Sequence, residues 1–143
     1  MESQSREIAL EACIEKNLSL TPNRLVIFEV ISKCVKPVTA YELQALLGRK
    51  GSKYNIATVY RVIEFWREVG LVHRIAYLNK FLACCNPQES HTHMINFCTG
   101  CEAVFETCNE RMGLDLQKGA NFIGLTIPQS AHVEIPVTCS SCE

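Results

Sequence analysis

The sequence lacks any apolar run approaching the roughly 20 residues that a membrane-spanning helix needs. It also lacks the basic-then-apolar opening of an export signal, since it begins M-E-S-Q-S-R-E. The expected location is the cytoplasm, with no membrane partner. No repeat of solenoid length and no low-complexity tract is present. Catalytic patterns are missing as well: no H-E-x-x-H, no H-x-E with P-C-x-x-C, no glycine-rich phosphate loop and no nucleophile motif. A catalytic zinc needs an open coordination position and a nearby base. The expectation is therefore a protein that is no enzyme and takes no small-molecule substrate. A zinc-dependent hydrolase or a thiol oxidoreductase is the remote alternative.

Overall charge is also scarce, at −1, but its distribution is uneven. Residues 1–83 carry 12 Lys+Arg against 8 Asp+Glu, while residues 84–143 carry 2 against 7. A basic half suits a polyanion, and an acidic half suits metal ligation. With 143 residues there is room for one modest domain or two small lobes.

Cysteine is abundant. Nine are present: Cys13, Cys34, Cys84, Cys85, Cys98, Cys101, Cys108, Cys139 and Cys142. Without an export signal they point to metal binding or thiol chemistry rather than disulfides.

The first half reads as helices followed by a hairpin. A helix is expected over 6–16, with Ile8, Ala9, Ala12 and Cys13 on one side. Thr21-Pro22 starts a second, in which Leu25, Phe28, Ile31 and Val35 recur at helical spacing until Pro37. Thr39 caps a third, roughly 40–47, and Gly48 and Gly51 mark the turn after it. Asn55 caps a fourth that Gly70 ends. On that helix Ile56, Val59, Ile63 and Trp66 share one face, with Ala57, Arg61, Glu64 and Glu68 opposite and Tyr60 at the border. The next alternating stretch turns at Asn79-Lys80. This order is that of a winged helix-turn-helix, whose last helix enters the DNA major groove.

Residues 85–90 form a polar linker, dividing the chain into 1–84 and 91–143. The second lobe reads as α/β: strands near 94–97 and 103–107, a helix near 108–118, and strands near 122–127 and 131–138. Its edges have few guards, which favours pairing into a homodimer. The fold class expected is α+β.

C-T-G-C at 98–101 and C-S-S-C at 139–142 form two C-x-x-C pairs. Four thiolates in two such pairs suit tetrahedral zinc, each pair spanning one edge of the tetrahedron, and Gly100 gives its turn freedom. Cys98, Cys101, Cys139 and Cys142 are thus the expected structural zinc ligands. A second set of donors comprises His73, Cys84, Cys85, His91, His93, Glu106 and His132. A metal held by His73, Cys84, His91 and Glu106 would bridge the two lobes and fix one against the other.

These segments together resemble the ferric uptake regulator family of bacterial metalloregulators. They are L-T-P-N-R (20–24), A-Y-E-L (40–43), A-T-V-Y-R (57–61), G-L-V-H-R (70–74), H-T-H (91–93), C-T-G-C with E-A-V-F-E after it, and C-S-S-C, in family order over nearly the whole chain. The likeness is greatest to the zinc uptake regulators. It implies two Zn2+ per chain: a structural one on the four cysteines named above, and a regulatory one on His73, Cys84, His91 and Glu106. A thiolate with imidazoles favours zinc over iron or manganese, in keeping with that branch. Iron-, manganese- or peroxide-sensing relatives are the alternative. The resemblance further implies a bacterial homodimer that represses zinc uptake genes at AT-rich palindromic operators. Arg61 is the expected base reader, because arginine donates two hydrogen bonds to guanine. Tyr60 is expected on a thymine methyl, Tyr41 as a further DNA contact, and Lys53, Thr58 and Arg24 on phosphates.

Overall fold

In the computed structural model the chain divides into two compact units, Met1–Pro87 and Gln88–Glu143. The structure describes residues 2–84, 92–108, 116–128 and 131–143.

The first unit holds four helices and a hairpin: α1 (Glu2–Glu15), α2 (Pro22–Ser32), α3 (Ala40–Arg49), α4 (Ile56–Val69), β1 (Val72–Ile75) and β2 (Lys80–Ala83). Local chemistry sets the helix starts. The side chains of Thr21, Thr39 and Asn55 accept from the backbone N–H groups of Arg24, Glu42 and Thr58, satisfying donors the helix leaves open. Gly70 ends α4 in the left-handed region, at φ 94°. The core gathers Ala9 and Cys13 of α1, Ile27, Phe28 and Ile31 of α2, Leu43 and Leu47 of α3, and Val59, Ile63 and Trp66 of α4. The Trp66 indole N–H donates to Arg24 O at 3.0 Å, pinning α4 to the start of α2.

Two expectations shift here. The first helix starts at Glu2, four residues earlier than expected. The second stops at Ser32, and Val35 is 94% exposed in the following loop. Its apolar spacing extended the helical pattern, but the backbone N–H groups of Lys33 and Cys34 already close the helix on Val30 O and Ile31 O.

In the second unit β3 (His93–Cys98) lies between β4 (Val104–Cys108) and β5 (His132–Val137). The β3–β4 pair is antiparallel and the β3–β5 pair is parallel. Helix α5 spans Leu116–Phe122. The expected helix over 108–118 is met only by the start of α5; residues 109–115 lie outside the described ones. The expected strand at 122–127 is absent. Phe122 closes α5, and Ile123 and Leu125 follow in a turn and irregular chain, all three exposed. A short apolar run does not reveal whether a neighbouring strand exists to pair it.

Among the described residues no helix is long and apolar enough to cross a membrane.

Candidate metal centres and nucleic-acid surface

Parallel pairing explains the cysteine cluster. β3 and β5 run in the same direction in register, ending together at Cys98 and Val137. Each strand then enters a turn that carries one C-x-x-C pair, so both pairs arise at the same end of the sheet. Thr99 N–H donates to Val137 O at 3.0 Å and ties the two turns together. Cys98 O accepts from Glu102 N–H in the first turn, and Cys139 O accepts from Cys142 N–H in the second, both at 2.9 Å.

The four sulfurs of Cys98, Cys101, Cys139 and Cys142 lie within 4.8 Å of one another. Cys101 Sγ and Cys139 Sγ are 3.7 Å apart. Tetrahedral zinc with Zn–S bonds of about 2.3 Å has an edge of roughly 3.8 Å, so the donor set fits that ion. Gly100 makes room for it. A Cβ at this position would stand 3.0 Å from Cys142 Sγ and 3.2 Å from Cys142 Cβ.

The electrostatics of the cluster are those of a cation site. Backbone N–H groups of Cys139, Cys101 and Gly100 point at Cys98 Sγ and lower its thiol to about 6. The Cys139 N–H to Cys98 Sγ distance is 3.4 Å. Cys142 is pushed up to about 12, chiefly by hydrogen bonding to the sulfurs of Cys139, Cys98 and Cys101. Without a cation the cluster keeps a proton among its sulfurs. Cys13 and Cys34 differ: burial raises both thiols, as expected of packed cysteines.

The second donor set is found as two pairs, one in each unit. In the first unit His73 lies on β1 opposite Leu82, and Cys84 follows β2, its N–H donating to Leu71 O at 2.9 Å. A nitrogen of His73 and Cys84 Sγ lie within 4.8 Å of each other. In the second unit His93 on β3 meets Glu106 on β4, with Nδ1 and Oε1 2.6 Å apart and both side chains at least 93% buried. The sheet register produces this contact, since Glu106 pairs with Ile95, two residues along the same face from His93. The family resemblance pointed to His91, which lies outside the described residues, as does Cys85. His93, which like His132 lies outside the set the resemblance implies, is the histidine beside Glu106. The signal for it was strand alternation, which puts His93, Ile95 and Phe97 on one face. His132 on β5 faces Glu134, with Nε2 and Oε2 3.8 Å apart.

The expected DNA-contacting residues all fall in the first unit. Arg61, Tyr60, Tyr41 and Lys53 are exposed, and Thr58 is half-buried beside the Asn55 cap. Ala57, Arg61, Glu64 and Glu68 share the exposed side of α4, as their spacing implied. Arg24 is more engaged than expected: its guanidinium stacks 3.8 Å over the Phe65 ring and donates to Ser19 O at 2.6 Å.

The model of the ferric uptake regulator family matches residues 15–124. The zinc uptake regulation protein of Escherichia coli strain K12 is 30% identical over 94% of this chain and 78% of its own length. The peroxide operon regulator of Bacillus subtilis strain 168 is 26% identical over 94% of this chain and 90% of its own length. Among solved structures, a zinc uptake regulator complexed with zinc and DNA superposes with a TM-score of 0.81 at 28% identity, over 99% of this chain and 95% of that one.

Proposed function

The chain belongs to the ferric uptake regulator family, and on that footing we propose that it is a zinc-responsive transcriptional repressor. With its regulatory zinc in place it binds AT-rich palindromic operators of zinc uptake genes, as a homodimer in the bacterial cytoplasm. Two zinc ions per chain are assigned. The structural ion takes Cys98, Cys101, Cys139 and Cys142. The regulatory ion draws on both units: His73 and Cys84 from the first, and Glu106 with a histidine of H-T-H from the second, His93 or His91.

The observation that carries this reading is the thiol of Cys84 beside the imidazole of His73 on the hairpin. A thiolate–imidazole pair selects zinc over iron or manganese, whose sites are richer in oxygen and nitrogen. The similarity to zinc uptake regulators supports the same assignment. Exposed Phe105, Phe122, Ile123 and Leu125 in the second unit support its role in dimerisation.

The switch follows from ligand provenance. A zinc site with ligands on two units is complete only when they are held together, so zinc favours that arrangement. Moving such an equilibrium from 1:99 to 99:1 takes about 5.5 kcal/mol of differential binding. Two recognition helices at fixed spacing then engage two half-sites at once. Arg61 reads a base edge, Tyr60 and Tyr41 pack beside it, and Lys53, Thr58 and Arg24 hold phosphates.

The test is zinc stoichiometry with DNA binding, before and after mild chelation, in wild type and Cys84→Ser. Two zincs per chain are expected, one removable, with sequence-selective DNA binding following the removable ion and failing in the variant. One tightly held zinc, with DNA binding indifferent to chelation and to Cys84, would mean that another metal or ligand carries the signal.

A further inference from the structure

We infer that Phe81 is the positioning residue of the DNA-reading surface: its ring sets Tyr60, and through Tyr60 it sets Tyr41, in the orientation that meets the bases. The inference rests on the repressor reading above and deepens it.

Phe81 lies on β2 and is only 3% exposed. Its main chain is held on both sides. Its N–H donates to Val38 O at 2.7 Å, and its O accepts from Val38 N–H at 2.9 Å. These two bonds form an isolated bridge from the hairpin to the residue just before Thr39, the cap of α3. The Phe81 ring therefore has a fixed origin relative to α3.

From that origin three rings run outward. The Phe81 and Tyr60 centroids are 6.5 Å apart with planes at 78°. The Tyr60 and Tyr41 centroids are 6.4 Å apart with planes at 84°. Exposure rises along the file, from 3% at Phe81 to 39% at Tyr60 and 62% at Tyr41. Each contact sets the positive edge of one ring against the negative face of the next. A tyrosine on a helix surface without such a neighbour samples several rotamers, and binding then has to freeze one of them. Tyr60 instead has an interior ring to stop it, and Tyr41 has Tyr60. Arg61 follows Tyr60 directly on α4, so this packing defines the approach of the base-reading stretch.

A merely structural Phe81 would affect all functions of the lobe alike; a positioning one affects sequence-selective binding through Tyr60. The experiment uses the full zinc-loaded chain. A duplex selected by wild type from a random pool is compared with a scrambled duplex of equal length. Phe81→Leu, with Phe81→Met as a second variant of closer volume, is expected to weaken the selected duplex roughly 2- to 12-fold, the range of one aromatic edge contact. The scrambled duplex is unaffected. In a Tyr60→Ala background Phe81→Leu adds no further loss. Equal losses on both duplexes, or independent losses that multiply in the double variant, would overturn the assignment, as would unchanged affinity in both single variants. If wild type selects no sequence at all, the repressor reading falls and this inference falls with it.

Discussion

Cys98 receives three backbone N–H groups on one sulfur, and this gives the zinc-free protein a pH signature. Its thiol is held at about 6, against an ordinary value of 9.0, by the N–H groups of Cys139, Cys101 and Gly100. A lowered folded value favours the folded state once the thiolate forms. The contribution is complete above pH 9, declines below it, and is gone once pH falls through about 6. Between about pH 6 and 9 Cys142, raised to about 12, is protonated in the folded and unfolded chain alike; above pH 9 its unfolded thiol ionises first and offsets the gain. Ultraviolet thiolate titration of zinc-stripped protein should therefore show one early step near pH 6, absent in Cys98→Ser. At the same scale, Gly100→Ala would place a methyl against Cys142 Sγ and impede the fourth ligand. Zinc should leave that variant faster under chelator than it leaves wild type, while the helical content of the first unit stays unchanged. Arg61→Ala should cost about 1–3 kcal/mol in binding to a selected operator and little on scrambled DNA. Equal binding by variant and wild type would remove Arg61 from the reading surface.

Among the elements, α4 illustrates how much the sequence discloses. Its start and stop are local chemistry, with Asn55 accepting from Thr58 N–H at 2.8 Å and Gly70 taking a positive φ. Asn55→Ala should lower stability by about 1 kcal/mol in urea unfolding, the usual cost of a lost N-cap. Helical periodicity also located its buried and exposed faces, because a single side of α4 meets the core. The paired C-x-x-C spacing disclosed the cysteine cluster for a similar reason: each turn holds two ligands by itself. What stayed hidden depends on partners distant in sequence. The exposed run Phe122–Leu125 reads like a strand because apolarity does not say what will cover it. Val35 continues a helical pattern after the backbone has already left the helix. The choice between His91 and His93 turns on strand register, and only the pairing of Ile95 with Glu106 brings a carboxylate to His93.

At the scale of the whole molecule, the parallel pairing of β3 with β5 has a consequence in time. The helices and the hairpin of the first unit are closed by hydrogen bonds between residues near in sequence, even though its packing also joins distant ones such as Val38 and Phe81. The second cannot complete its sheet until residue 132 returns to lie beside residue 93. Closing so long a loop before any reward is slow, whereas helical contacts form early. Refolding from denaturant should thus run in two phases, the helical signal first and chelator-resistant zinc later. The cysteine cage becomes a clock for the slow phase, since it closes only when both strand ends are in register. Zinc held against chelator as early as the helices appear would show instead that the metal gathers the strands and sets the pace.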